Sequence, residues 1–303
     1  MSYYQLLGLN QEPFSSSPDP DFLFLSREHK AALCRLQVTI ALRRGMSVVL
    51  GDVGTGKTTL SRKLAQILSQ DEDTVFRMIL NPYFKSEEQF LSRLVRLFHI
   101  RRDDAAAEAD DMEAVEWFLF RTGVEEEKTV VLLIDEAQIL PDFVLEILRI
   151  LLNYETNKYK MLQLVLVGQL ELLPRIRRMA NFWDRVGLKC LLHPLHHIEA
   201  AGLIDFRVRH AGYRGGEPLF SAEAVRLICE NTRGYPRKIS FFCHHCLESL
   251  VMYDKKVVDA DLVKRLIDAE ARLSAAEDAA VCMVARGQGD GAGRRNAPES
   301  MAV

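Results

Sequence analysis

The sequence predicts a parallel α/β domain, a sheet sandwiched by helices, followed by a small all-helical domain. Three observations carry that expectation. Apolar runs at 129–134 and 162–167 lack the alternation of a half-solvated strand, so both of their faces must be buried. Such runs alternate with helix-period segments as far as residue 195, the order that a parallel sheet with crossover helices requires. After Pro194 four helical segments follow without a convincing strand.

Size and composition bound the rest. At roughly 100–200 residues per domain, 303 residues suit two domains. A hydrophobic fraction of 48% and a charged fraction of 27% exclude wholesale disorder. The longest wholly apolar runs are about five residues, whereas a spanning helix needs about 20, so no membrane insertion is expected. The N-terminus lacks a basic start followed by an apolar stretch, so no secretory signal is expected. A cytoplasmic protein is the expectation, with any attachment to the inner membrane made through a partner. The net charge of −3 excludes a strongly basic nucleic-acid coat and leaves room for a local basic patch. Six scattered cysteines read as buried apolar residues, not disulfides.

Residues 1–27 form an expected arm. Pro13, Pro18 and Pro20 prevent regular structure, while Phe14, Phe22 and Phe24 supply apolar anchors. The core domain is expected over 28–195. It opens with a helix at 28–44, a strand at 46–50, a glycine-rich loop and a helix at 57–69. A second strand at 74–80 ends at Asn81 and Pro82. Helices at 86–99 and 112–121 flank an acidic, alanine-rich loop, and the apolar strand 129–134 follows. Leu140, Phe143, Val144, Ile147, Leu148 and Leu151 then recur at helical spacing, with Pro141 at the favoured first helical position. Strands at 162–167 and 188–192 complete the sheet. The helical domain, 196–273, has segments at 198–211, 221–231, 236–252 and 259–273. From residue 274 to 303 an Ala-, Gly- and Arg-rich composition predicts a disordered tail.

Gly51, Asp52, Val53, Gly54, Thr55, Gly56, Lys57 and Thr58 match the phosphate-binding loop pattern, and Thr59 follows. The context is the required one, an apolar strand before and a helix after. Glycines let successive backbone N–H groups turn toward phosphates, and the helix N-terminus adds a favourable dipole. Lys57 would reach the β- and γ-phosphates of ATP, and the Thr58 hydroxyl would bind Mg²⁺. The strand 129–134 runs directly into Asp135 and Glu136. A carboxylate at that strand end faces the crevice where α/β sheets bind ligands. Asp135 suits Mg²⁺, and Glu136 can accept the proton of an attacking water.

Two further signals follow. The strand 162–167 ends in Gly168 and Gln169, placing an amide beside the γ-phosphate if this strand neighbours Asp135. Gly234, Tyr235, Pro236 and Arg237 open a helix with an arginine in its first turn, against the helix dipole. A bound triphosphate would explain that arginine; a plain surface arginine is the alternative. Arg175, Arg177, Arg178 and Arg185 form an arginine-dense segment before the last strand. One of them could reach a neighbouring subunit's γ-phosphate, and a solvated basic face is the alternative.

These motifs, in this order, resemble those of AAA+ ATPases. More narrowly, the opening from Tyr3 to Phe24, together with 53–59, 133–138, 166–172 and 234–239, resembles the general secretion pathway A-protein (ExeA/GspA) family over about residues 1–270. The resemblance implies a RecA-like AAA+ core, a helical lid, and ATP-dependent assembly into a homo-oligomeric ring or filament. It makes Gln169 the sensor-1 residue, Arg237 the sensor-2 residue and Arg185 the arginine finger. Lys189 stands where the family carries a second arginine. Asn81 resembles the residue that restrains the catalytic glutamate in related ATPases. Secretion members continue into a membrane helix and a peptidoglycan-binding domain, which this sequence does not include. It is therefore expected to be similar to stand-alone relatives, which include exopolysaccharide-associated ATPases and transposition ATPases of the TnsC/TniB type.

The expected function is ATP hydrolysis that energises assembly or remodelling of a protein client in an envelope-export or exopolysaccharide system. The alternative is a DNA-associated transposition regulator. A nucleotide-gated adaptor without turnover is disfavoured by intact Lys57, Asp135 and Glu136. Cys243, His244, His245 and Cys246 offer soft ligands, but on a helix the cysteines share a face that the histidines do not. Core packing is the expectation there, with no metal bound.

Overall fold

Strands buried on both faces demand helices on both faces, and the computed structural model shows that arrangement for the residues it describes, 2–15, 22–101 and 110–289. In chain order, α1 (Tyr3–Leu6) and α2 (Arg27–Ala41) precede β1 (Met46–Gly51) and α3 (Lys57–Leu68). Next come β2 (Thr74–Ile79), α4 (Glu87–Leu97) and α5 (Asp111–Phe120), whose end continues as a π turn over Arg121–Glu125. β3 (Thr129–Ile134) runs through a 3-10 turn at Ala137–Ile139 into α6 (Asp142–Leu151). β4 (Leu162–Gly168), α7 (Leu172–Arg178), α8 (Ala180–Trp183) and β5 (Val186–Leu192) close the sheet domain. α9 (His197–His210), α10 (Ala222–Thr232), α11 (Pro236–Met252) and α12 (Ala260–Gly289) form the helical part.

The sheet order is β2-β3-β4-β1-β5, every neighbouring pair parallel. Period-two alternation divides the apolar strands between two cores. Val48, Leu132 and Leu164 face α4 to α8, where Phe90, Leu119, Leu148 and Phe182 pack. Val49, Val131 and Val165 face α2 and α3, where Leu36, Leu60 and Leu64 pack. Each such leucine removed from water contributes on the order of 2 kcal/mol. Helix starts are set locally: Ser26, Ser86, Asp110 and Ser221 each accept the backbone N–H three residues on.

A third core belongs to the helical part and includes the N-terminal arm. Leu9, Phe14 and Phe22 are buried with Leu203, Ile228, Phe242 and Leu262. The Phe14 and Phe220 rings meet edge to face, 6.0 Å apart.

Two differences from the sequence reading stand out. β5 begins at Val186, two residues before the expected start, where Gly187 interrupts the apolar pattern. The disordered tail expected from residue 274 is instead helix as far as Gly289. Ala275, Ala276, Ala279, Ala280 and Ala285 lie in that stretch, and alanine is the strongest helix former. Residues 290–303 lie outside the described residues, as do 16–21 of the arm and 102–109 of the acidic loop. No described helix is long and apolar enough to cross a membrane.

Candidate active site

The loop between β1 and α3 is shaped by backbone conformations that side chains resist. Gly56, the N-cap of α3, has φ +94°, and a Cβ there would lie 2.8 Å from His29 Nε2. Thr55 is fully buried, and its Oγ1 donates to Asp52 O at 2.9 Å. His29, also buried, donates from Nε2 to Thr55 O at 3.0 Å, and Ser26 Oγ donates to its Nδ1 at 2.7 Å. Because a carbonyl can only accept, Nε2 carries a proton, as it does in the neutral Nε2–H tautomer. Burial lowers the His29 pKa and favours that neutral form.

Lys57 Nζ donates to Gly51 O at 3.0 Å and to Asp52 O at 2.9 Å. Burial pushes its ammonium below the ordinary value, against the pull of Glu136, Asp135 and Asp52. Asp135, 1% exposed at the end of β3, accepts the Glu136 N–H at 3.0 Å and a hydrogen bond from the Thr58 side chain. Burial raises its pKa, and those two hydrogen bonds oppose the rise.

β4 lies between β3 and β1, with Ile134 opposite Leu166 and Leu50 opposite Gly168. The condition set for Gln169 is therefore met, since its strand neighbours that of Asp135. Glu136 has φ +52°, a left-handed conformation that costs a non-glycine residue about 1–2 kcal/mol. The bend turns the chain back, so that Gln138 Nε2 donates to Glu136 Oε2 at 2.5 Å.

The helical part covers this edge. The Arg237 N–H donates to Gly54 O at 3.3 Å, and a Cβ on Gly54 would lie 3.1 Å from Arg237 Cβ. The Tyr235 hydroxyl donates to Asp52 Oδ2 at 2.6 Å. Between the loop and α11 lies a cleft of about 740 Å³ whose lining includes Lys57, Thr58, Thr59, Glu136, Gln169 and Arg237. The arm contributes Glu12, Phe14 and Ser15 to its wall.

Other candidates fall elsewhere. Arg185 immediately precedes Val186, which pairs with Met46, whereas the phosphate loop follows Gly51, paired with Leu192. Five residues at about 3.3 Å each put Arg185 roughly 17 Å from its own loop along the sheet. Its guanidinium donates to Asn181 O and Asn153 Oδ1. Arg175 is engaged internally, donating to Gln138 O at 2.7 Å and to Leu140 O and Asp142 Oδ1 at 2.5 Å. Arg177 and Lys189 both lie over the Trp183 ring, the latter at 3.8 Å. Asn81 is exposed, and the hydrogen bond that restrains Glu136 comes from Gln138 instead. The reason is local: the chain leaves the sheet at Leu80, while the 3-10 turn carries Gln138 directly over Glu136. Cys243 and Cys246 are buried in the helical core, while His244 and His245 line the cleft.

The residues fit a magnesium nucleotide. The loop bends through positive-φ glycines, a lysine sits at its centre, and a hydroxyl and a carboxylate already paired with each other supply the hard oxygen donors that Mg²⁺ prefers. Sequence reasoning assigned no role to His29, Gln138 or Tyr235. Gln138 and Tyr235 lie inside the motifs that were read, and Ser26 three residues before His29 marks a helix start; none of these signals reports a tertiary contact.

The AAA domain family matches residues 41–176. The chain is 34% identical over 263 residues to general secretion pathway protein A of Aeromonas hydrophila, a match covering 86% of this chain and 47% of that protein. It thus spans about half the length of that curated relative. In fold it is similar to ORC2 of Aeropyrum pernix, with a TM-score of 0.61 and 16% identity over 86% of this chain and 71% of that one. It is also similar to Cdc6p of Pyrobaculum aerophilum, with a TM-score of 0.59 and 17% identity over 79% and 68%. The RuvB branch migration motor of Thermotoga maritima gives a TM-score of 0.55 and 15% identity over 86% and 73%. At these identities the structural likeness concerns the fold alone. A parallel sheet in this strand order, a phosphate-type loop beneath a helical part and the secretion-pathway match together make the chain a GspA-like AAA domain protein with the AAA+ fold.

Proposed function

We propose that the chain binds ATP with Mg²⁺, hydrolyses it to ADP and phosphate, and completes its catalytic sites by oligomerising. The observation that carries the reading is the grouping of Lys57, Thr58 and Glu136 along one cleft, with buried Asp135 hydrogen-bonded to Thr58. Lys57 would exchange its two loop carbonyls for the β,γ-phosphates. Thr58 and Asp135 would hold Mg²⁺, which when bound supplies neutralising charge at the phosphate oxygens. Glu136 would take the proton of the water that attacks the γ-phosphorus as the bond to the β-bridging oxygen breaks. Gln169 would orient that water, and Arg237 would meet the phosphates from the lid. Arg185 would serve a neighbouring subunit, since it lies far from its own loop. The match to general secretion pathway protein A supports a protein client in envelope export.

The test is direct. Glu136→Gln should retain ATP with near-normal affinity and lose about a hundredfold or more in turnover. Lys57→Ala should lose triphosphate binding itself. Wild-type turnover in Glu136→Gln would overturn the assignment of the base.

A further inference from the structure

Gln138 sits between the two residues whose chemistry must be coordinated. Its Nε2 donates to Glu136 Oε2 at 2.5 Å, and its Oε1 accepts the Gln169 backbone N–H at 3.0 Å. The orientation of the amide follows from the partners. A backbone N–H can only donate, so the amide oxygen faces Gln169 and the amide nitrogen faces the carboxylate. The backbone of Gln138 is anchored as well, because Arg175 Nη1 donates to its carbonyl at 2.7 Å. The approach of β4 is close: a Cβ on Gly168 would lie 3.1 Å from Gln138 Oε1 and 3.3 Å from Gln138 N.

From this bridge we infer that Gln138 is a positioning residue for hydrolysis, holding the Glu136 carboxylate and coupling it to the end of β4. The inference rests on Glu136 being the base. The bond to Nε2 occupies Oε2 and stops the carboxylate from rotating, which leaves Oε1 to accept the proton from water. Gln169 lines the cleft and donates its backbone N–H to Gln138. A displacement of Gln169 by whatever occupies the cleft therefore reaches Glu136 through one amide. Glu136 adopts a left-handed conformation, so its side-chain direction depends on such external restraint more than that of an ordinary helical or extended residue.

The experiment compares Gln138→Met, which keeps the length but loses both hydrogen bonds, with Gln138→Asn, which keeps the amide but is one methylene too short. Turnover, affinity for a fluorescent ATP analogue and thermal stability are measured on the full chain. Loss of a hydrogen bond to a charged group predicts a fall in kcat of roughly ten- to a hundredfold. ATP affinity should stay within about twofold, because the amide touches Glu136 and not the phosphate loop. Gly168→Ala, pressing on the same amide, should lower kcat in the same direction. If Gln138→Met folds poorly, Gln138→Asn decides.

A second comparison separates positioning from general structure. Residues that act as a unit are non-additive, so Gln138→Met added to Glu136→Gln should cause no further loss of the residual turnover, followed with radiolabelled ATP. Losses that multiply, or wild-type kcat in both Gln138 variants, would overturn the inference and leave Glu136 as base untouched. Wild-type turnover in Glu136→Gln alone would instead remove the base assignment, and this inference with it.

Discussion

The hydroxyl of Tyr235 donates to the carboxylate of Asp52 at 2.6 Å, across 183 residues of sequence. The bond joins the first residues of α11 to the phosphate loop, beside the Arg237 N–H on Gly54 O. It holds the Asp52 carboxyl below the usual range and raises the Tyr235 phenol, so the neutral phenol and the anion are the stable pair.

Tyr235→Phe removes this tie and leaves the ring. A hydrogen bond to a charged group is stronger than a neutral one, and exposure of this pair to solvent reduces its contribution. The expected outcome is faster ATP release, by up to about tenfold, with the Arg237 contact still in place. Stopped-flow displacement of a fluorescent ATP analogue measures it, and an unchanged release rate would show that the tie does not restrain the cleft.

Gly56→Ala should be more damaging than an alanine elsewhere in α3. The left-handed backbone costs about 1–2 kcal/mol with a Cβ, and the new atom presses on His29. ATP binding should fall at least tenfold, while circular dichroism retains the α/β signal. Normal binding would mean that the loop can take another conformation.

His29 sets a pH dependence of stability. Its folded pKa lies below the ordinary value of 6.5 because burial disfavours the charged ring. The unfolded chain therefore takes up the proton first. The contribution is complete above the ordinary value and is lost as pH falls through it toward the lower folded value. His29→Gln should flatten the dependence of Tm on pH between about 7.5 and 5.5, relative to wild type. Parallel curves for the two proteins would assign the acid sensitivity to other groups.

If Arg185 serves a neighbouring subunit, as proposed, turnover is a property of the assembly. Hydrolysis per subunit should rise with protein concentration, and Arg185→Ala should abolish that rise, a loss of about a thousandfold at saturation. ATP affinity of the dilute protein should not change. Mixing Arg185→Ala with Glu136→Gln should restore part of the activity, because some interfaces then pair an intact Glu136 with an intact Arg185. Strict proportionality to concentration, without rescue, would leave Arg185 as the partner of Asn153 and Asn181 alone.

The sheet was legible because burial on both faces writes itself as an unbroken apolar run. β3 was expected over the six residues it occupies, and β4 to within one residue. The phosphate loop was legible because its glycines are a backbone requirement that few other structures impose. What escaped was tertiary. Asn81 had the right chemistry at a strand end and stands exposed, whereas Gln138 reaches Glu136 from a turn that begins with Glu136 in a left-handed conformation, which no composition rule announces. The tail was misread for another reason: glycines from 287 onward dominated the composition, while the alanines before them extend a helix already started at Ala260.

The shared core of arm and helical part has a consequence for how the chain is made. Leu9, Phe14 and Phe22 find their apolar partners among residues 195–263. On a ribosome these residues must therefore wait, with their aromatic rings uncovered, until residues 195–263 have been synthesised. The sheet can close at Leu192 without them. Contacts of such long sequence separation form late, so the last folding event should be the one that joins the two distant segments and walls the cleft. A newborn chain would acquire its phosphate loop well before it acquires the enclosure around it.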